Sequence, residues 1–509
     1  IAESAIKVKE LVDEKKVDGD ILIFMPGKQE IAQTIDEINK LGLKNAVCYP
    51  LHGEMEAEAQ DKIFAPTPGQ IKIIVATNVA ETSITVPGVR TVIDSGLVNR
   101  MEYDENTGIE ALKTRRHAKS GSIQRAGRAG RVAAGNSYRL FTEEEFAGSA
   151  DYQMPEIKRS NLAHVVLQMK KMGISDLEKF PFVDPPKIDS LLDAISELQK
   201  LGALDKNENI TEIGEFMSKL PLEPKIARMI AEAAKMEKEA NEFQFLADTA
   251  RENRETEEAD ELQDRAEKLR CTESLCTIAA FFSTREVFVR PPSSEKEKVA
   301  EAVAAHSQFK VPGSDFLTLL KVWRDFENEH FDLYNNNDRF HFQSWARKNY
   351  LRSSVLEEVS KIRFQYFKIL GQNGIRATEG DDPKSIAKAV TAGLIGNLSY
   401  EQSEECVRIS DGLRGKLPRN SAFSPYSGGL LVFHKPIEIP LKTKYGPPSM
   451  KLFQTVQAVD PALVFEFAPQ LCEERERPYV YYDNEKDFCY KETMLTIKGA
   501  RLGSSSQKE

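Results

Sequence analysis

The residues best equipped for chemistry lie in one octapeptide, QRAGRAGR, from Gln124 to Arg131. On a helix Gln124, Arg128 and Arg131 stand at i, i+4 and i+7 and share one face, while Arg125 is turned about 100° away. Gly127 and Gly130 each cost a helix ~1 kcal/mol, so their presence predicts a backbone that comes close to something outside it. Two guanidinium groups aimed together can stabilise the charge that builds on a transferring phosphoryl group, and a glutamine beside them can orient the attacking water. A merely solvated basic helix requires neither the glycines nor the shared face.

A second segment, ATNVAETSIT at Ala76–Thr85, places hydroxyl and amide side chains just after an apolar run that reads as a strand. Such groups at a strand end can bond phosphates and 2′-hydroxyls without reading bases. Each Thr or Ser taken alone is an ordinary helix cap. The sequence has no G-x-x-x-x-G-K-[ST] loop: PGKQE at Pro26–Glu30 lacks both its spacing and its hydroxyl. It also lacks a DEAH-like carboxylate motif for magnesium, so these 509 residues alone cannot close an ATP site. Six cysteines without a Cys-x-x-Cys pair or clustered histidines predict reduced thiols and no bound metal.

The elements that must position these residues follow from periodicity. Ile21–Phe24, Ile71–Thr77, Arg90–Asp94 and Ser137–Phe141 are short β-branched runs separated by helical stretches, the pattern of a parallel sheet covered by helices. Ile31, Ile35, Ile38 and Leu41 recur at helical spacing, and Gly42 is placed to stop that crossover helix. After Pro155 amphipathic helices take over, with Leu191, Leu192, Ile195, Leu198 and Leu201 forming one stripe before Gly202. Helical sequence continues to about Ala392, broken at Pro291–Pro292 and Asn335–Asp338, and the charged stretch Arg251–Arg270 reads as a solvated helix or loop. From Gly428 on, LLVFHK, KLFQTVQAV, ALVFEF and YVYYD predict a compact β-rich domain, with a frayed tail from Gly503. The fold class expected is therefore multidomain: an α/β parallel-sheet domain, helical domains, and a β domain.

Length agrees with that reading, since a chain of this size holds three or four ordinary cores. No apolar run approaches the ~20 residues needed to span a bilayer. The net charge of −10 argues mildly against nucleic acid as a partner of the whole surface, so any RNA must be held in a locally basic channel. A first residue of Ile1 rather than Met leads us to expect that the chain begins partway through a gene product.

QRAGRAGR resembles the sixth helicase motif of the DEAH-box family, ATNVAETSIT resembles the fifth, and LIFMPG at Leu22–Gly27 resembles the fourth. The segments Met154–Pro186 and Leu201–Pro224 look like the family's winged helix, and CTIAAFFSTREVFVRPP, GSDFLTLLKVW and FQSWARKNYLRSSVLEEVSKIRFQ look like its helical ratchet. The resemblance implies a second RecA-like domain over 1–150, a winged helix over 151–222, a helical ratchet over 223–390 and an OB-fold-like barrel over 391–509, with the first RecA-like domain absent. It implies RNA-stimulated ATP hydrolysis coupled to 3′-to-5′ translocation, RNA unwinding or ribonucleoprotein remodelling, in an intracellular, preferentially nuclear setting. Gln124, Arg128 and Arg131 would then face the ATP triphosphate, the two arginines acting as fingers, and Phe64 would stack on the adenine. Gly27, His52, Gly53, Thr77, Ser83 and Thr85 would hold the RNA backbone. Arg100–Ser122 matches the family's strand-separating hairpin and the approach to the sixth motif, although HAKSGS is atypical, and Pro87 stands where many members carry a ribose-binding Asp. Mg²⁺ and most of the ATP would be gripped by an upstream RecA-like domain, and an adaptor or activator protein could dock on the C-terminal domains. The alternative is a short form that binds RNA or a partner without catalysis; a purely structural scaffold leaves the octapeptide unexplained.

Overall fold

The β-branched runs fold into a sheet whose central strands are buried on both faces, because helices cover both. In the computed structural model strand β1 (Asp20–Phe24) lies at its centre, and Ile21, Leu22, Ile23 and Phe24 are each at most 2% exposed. Each such side chain contributes roughly 1.5–3 kcal/mol by burial. The alternation of the strand sorts them. Ile21 and Ile23 join helices α1 (Ala2–Asp13) and α2 (Lys28–Lys40) through Val8, Leu11, Ile31 and Ile38. Leu22 and Phe24 join the opposite layer with Ile63 of α3 (Ala57–Phe64) and Ala80 of α4 (Val79–Thr82).

The structure describes all residues except 18, 54, 56, 83–84, 105–108, 132, 292–294, 330–335, 424–428, 441–448, 484–487, 498–499 and 506–509. It forms two compact units, one of Ile1–Tyr103 with Glu110–Ser160 and one of Asp104–Ile109 with Asn161–Glu509. In the first, β2 (Ala46–Leu51), β3 (Ile71–Ala76), β4 (Val89–Asp94) and β7 (Asn136–Arg139) complete an all-parallel sheet in the order β2-β3-β1-β4-β7. Strand β2 is absent from the sequence reading because Pro50 interrupts its pattern. The strand tolerates Pro50 because it is an edge strand, pairing only with β3. Strands β5 (Leu97–Asp104) and β6 (Ile109–Arg116) form a separate two-stranded sheet, followed by α5 (Lys119–Ala126) and, after β7, by α6 (Glu143–Ala147).

The second unit begins with helices Ala163–Lys171, Ile188–Lys200 and Glu212–Met217, the last two joined through a single antiparallel bridge, Leu204 to Ile210. The helix Pro224–Glu252 runs 29 residues and has Thr256–Leu269, Thr272–Phe282 and Pro383–Leu394 packed along it. The charged stretch is thus helical and solvated, pinned by the buried Ala259 and Ala266. Beyond it, β8 (Ser399–Gln402), β9 (Glu405–Arg408), β10 (Arg414–Gly415), β11 (Leu430–Pro440) and β12 (Ser449–Val459) form an antiparallel sheet in the order β10-β9-β8-β11-β12. Its edges meet: Lys416, just after β10, bridges Leu452 of β12 in parallel, with Lys416 N to Lys451 O at 2.9 Å and Phe453 N to Lys416 O at 3.0 Å.

Two expectations fail here. ALVFEF is not a strand but part of the helix Pro461–Phe467, because Asp460 caps Ala462 N and Pro461 occupies the first turn. Of the segment expected to fray from Gly503, the part to Ser505 is in strand and 506–509 lie outside the described residues: β13 (Cys472–Asp483), β14 (Phe488–Ile497) and β15 (Ala500–Ser505) form a three-stranded sheet. Among the described residues no helix is long and apolar enough to cross a membrane.

Candidate functional site

Open parallel sheets bind ligands beyond the carboxyl ends of their strands, and in the first unit that edge collects four of the six RNA-backbone candidates. β1 leads to Gly27, β2 to His52 and Gly53, and β3 to Thr77. Backbone bonds fix these exits to one another: Met25 N donates to Ala76 O at 2.8 Å and Thr77 N to Leu51 O at 3.1 Å. Gly27 caps α2 in an extended conformation, and a Cβ there would stand 2.6 Å from Asn99 Nδ2 and 2.8 Å from the Glu30 carboxylate. Glycine therefore lets the β5 side chain Asn99 close on the loop. Gly53 faces open space, and Phe64 sits at the end of α3 with 37% of its surface exposed. Ser83 lies outside the described residues.

The octapeptide does not form one helix. α5 ends at Ala126 with Gly127 as its cap, and tighter bonds continue the chain, from Arg128 N to Arg125 O and from Ala129 N to Ala126 O, both 3.0 Å. The glycines that would weaken a helix here end it. Gln124 is therefore exposed on the last turn of α5, while Arg128 and Arg131 are carried on the turns that follow. A shared helical face does not relate the three residues. The two arginines are instead brought to the fifth-motif segment: Arg128 donates to the carbonyl of Glu81 and Arg131 to the hydroxyl of Thr85. The Arg128 cation is disfavoured, its affinity for the proton lowered first by burial and then by the Arg131 charge, against the pull of Glu81. Two guanidinium groups that repel each other across a partly open turn suit an anion. Gly130 has nothing within 4 Å of its would-be Cβ, so the close approach predicted for it is not to any described part of this chain.

Beneath this turn lies a network that sequence reasoning missed. Arg125 is 0% exposed and donates from Nε to Glu81 Oε1 at 2.6 Å and from Nη1 to Asp94 Oδ1 at 2.7 Å and Leu97 O at 3.2 Å. Its guanidinium also lies 4.8 Å from the centre of the Phe24 ring. His117 Nε2 stands 3.1 Å from both Asp94 oxygens, and its Nδ1 is 2.9 Å from Ala118 O. Burial alone would raise the Asp94 carboxyl; the His117 hydrogen bond and the Arg125 charge more than reverse this and hold it below its ordinary value. The network ties β4, α4 and the start of β5 to α5, fixing the turn that carries Arg128 and Arg131. A usable signal was present, namely Asp94 ending a largely buried strand and the histidine of the atypical HAKSGS.

Residues 3–133 match the helicase conserved C-terminal domain, 194–222 the winged-helix part of the helicase-associated domain HA2, and 223–319 its ratchet-like part. The chain thus carries a helicase C-terminal domain followed by the winged-helix and ratchet-like parts of HA2, consistent with the C-terminal part of a DEAH-box helicase. The fold is similar to that of the E. coli DExH-box NTPase HrpB, with a TM-score of 0.63 at 21% sequence identity, covering 100% of this chain and 50% of that one. The chain thus spans about half the length of that protein. Among the described residues no group of three or more His, Cys, Asp or Glu side chains could hold a metal ion.

Proposed function

We propose that this chain supplies the arginine-bearing half of the NTP site of an ATP-dependent RNA helicase that moves 3′ to 5′ on RNA. The observation that carries this reading is the pair Arg128 and Arg131, held against the fifth-motif segment by a fully buried scaffold and left with mutually repelling charge at an open turn. Such a pair fits the triphosphate: it would stabilise charge on the transferring γ-phosphoryl group, with Gln124 orienting the water and Phe64 stacking on the adenine. The phosphate cradle and Mg²⁺ belong to an upstream RecA-like domain carrying the P-loop. RNA would lie along the sheet edge, its backbone held by Gly27, His52, Gly53, Thr77, Ser83 and Thr85.

The domain assignment goes with this reading: a RecA-like domain over 1–150, a winged helix over 151–222, a ratchet over 223–390 and an OB-fold over 391–509. The OB assignment is supported by the five-stranded antiparallel order and by the parallel Lys416–Leu452 bridge between its two edges. A nuclear RNA-processing role with an adaptor on the C-terminal domains is consistent with the same architecture.

Single-turnover hydrolysis by the chain joined to a P-loop-bearing first domain is the test. Arg128→Ala and Arg131→Ala should each lower turnover on the order of 10³-fold, about 4 kcal/mol, with little change in nucleotide-free RNA affinity. Arg→Lys should rescue poorly, because an ammonium lacks the planar fork. The chain 1–509 alone should show no RNA-stimulated hydrolysis. Full turnover by either Ala variant would remove the finger assignment.

A further inference from the structure

A second pair of arginines in the first unit carries the same signature as Arg128 and Arg131. Arg100 stands on β5, and its Nε and Nη2 are buried from solvent yet donate to nothing among the described residues. Burying two such donors without partners is costly. The carboxylates whose charge reaches Arg100 are already engaged: Glu102 is paired with Arg115 at 2.9 Å through both of its oxygens, and Glu81 with Arg125 at 2.6 Å. The other charges that act most on it are cationic. Arg159 lies beside the same strand, donating to Met101 O at 3.4 Å, and its charge opposes that of Arg100, as does Arg125. Burial is the larger penalty on the Arg100 cation and Arg159 the next. A fold that holds a half-buried guanidinium with idle donors beside a second guanidinium is arranged for a group it does not itself contain, one that is anionic and rich in acceptor oxygens.

We propose that Arg100 and Arg159 form a second phosphate subsite, distinct from the Arg128–Arg131 pair, that takes a phosphodiester of a bound RNA strand. The inference rests on the RNA-binding reading above and adds residues that neither the helicase motifs nor the sheet edge supplies. Glu81 links the two pairs: its carbonyl accepts from Arg128, and its charge acts on both Arg128 and Arg100. The short helix α4 is therefore in electrostatic contact with both subsites, so a strand phosphate at one and a nucleotide phosphate at the other would be felt by the same element.

The test uses purified 1–509 and a fluorescent single-stranded oligouridylate, titrated at several salt concentrations, for the parent and for Arg100→Gln, Arg159→Gln and the double variant. Each single variant is expected to weaken binding on the order of three- to tenfold, equally on oligoadenylate, and to lower the slope of log affinity against log salt by about 0.7. Arg100→Gln should melt no lower than the parent, since it removes a buried charge with idle donors. If it fails to fold, the half-exposed Arg159→Gln carries the test alone. Parent-like affinity and slope in both variants, with a parent that binds, would overturn the subsite and leave the RNA reading intact. A parent that binds no RNA at any salt would overturn both. A parallel arm with inorganic pyrophosphate separates the sources. If pyrophosphate protects the parent against melting and protection is lost in Arg100→Gln while RNA affinity is unchanged, the subsite serves a nucleotide and the strand assignment is wrong.

Discussion

Asp94 and Asp315 are both buried carboxylates, one beneath the octapeptide in the first unit and one at the start of the helix Asp315–Asn328 in the second, and their surroundings push them in opposite directions. Asp94 meets a guanidinium and an imidazole and is held below its ordinary value. Asp315 meets only neutral donors: Ala422 N at 2.6 Å, Val456 N at 2.9 Å and Ser421 Oγ at 2.9 Å. Those bonds are fewer in effect than the cost of burial, and its carboxyl is raised. The second arrangement fastens a helix to the antiparallel sheet through bonds to both carboxylate oxygens. The first spends its carboxylates on holding one arginine in place, and the turn above carries two more arginines whose charges oppose each other. A buried polar cluster thus marks a site only when it supports something that remains reactive.

The largest expected effect breaks the first cluster from within. Arg125→Ala leaves Glu81 and Asp94 buried without their cation and should cost about 3–5 kcal/mol in urea unfolding of the first unit. Arg128→Ala, on the partly open turn, should change stability by no more than about 0.5 kcal/mol. Arg125→Lys should recover little, since one ammonium cannot bridge Glu81, Asp94 and Leu97 O together. Equal stability losses at 125 and 128 would mean that the scaffold and the reactive pair are not separable. Asp315→Asn should cost less, roughly 1–3 kcal/mol, by turning an amide nitrogen toward either Ala422 N or Val456 N.

Acid titration distinguishes the two carboxylates by sign. The folded value of Asp94 lies below its ordinary 3.8, so its stabilisation is present above 3.8 and is lost as pH falls through the lower folded value. The folded value of Asp315 lies above 3.8, so its favourable contribution is complete below 3.8 and is lost as pH rises through the folded value. Between about pH 6 and pH 3 the parent should therefore lose stability relative to Asp94→Asn and gain it relative to Asp315→Asn. Difference curves of the same sign would show that the two environments do not differ as the geometry implies.

How much of this was readable in advance depends on the range of the interaction that fixes each element. β1, β3, β4 and the helix α2 were legible because apolar residues at period 2 or 3.6 report burial locally. β2 was not, because an edge strand can carry Pro50 and needs only one apolar-facing partner. In the octapeptide the residue types were readable and the backbone was not: helical spacing grouped Gln124, Arg128 and Arg131, whereas Gly127 ends the helix and side-chain bonds to Glu81 and Thr85 place the arginines. The separation of Arg125 from Gln124 agreed with its burial, but its partners lie 31 and 44 residues away at Asp94 and Glu81. Arg100 opens the segment that resembles the hairpin, but nothing in that resemblance pointed to a phosphate site. Its meaning lies in bonds it does not make, which only the surroundings of a folded side chain disclose.

The smallest expected stability effect tests whether the turn above the scaffold faces outward. Gly130 and Gly135 lie five residues apart, and neither has a left-handed backbone that only glycine would tolerate. A Cβ on Gly135 would come within 2.4 Å of the carbonyl oxygens of both Ala129 and Arg90, backbone atoms that cannot swing aside. A Cβ on Gly130 would meet nothing within 4 Å. Gly135→Ala should therefore destabilise the first unit by about 1–3 kcal/mol through overpacking. Gly130→Ala should leave it unchanged or raise it by up to ~1 kcal/mol, because alanine restricts the unfolded chain. If the turn nonetheless needs glycine, the reason lies in what it meets across the nucleotide. Gly130→Ala should then lower turnover only when the chain is joined to a P-loop-bearing domain, and thermal melting of the isolated chain would show no loss to account for it. A Gly130→Ala chain that melts as low as Gly135→Ala would mean the turn is packed inward, and the open face assigned to Arg128 and Arg131 would be lost with it.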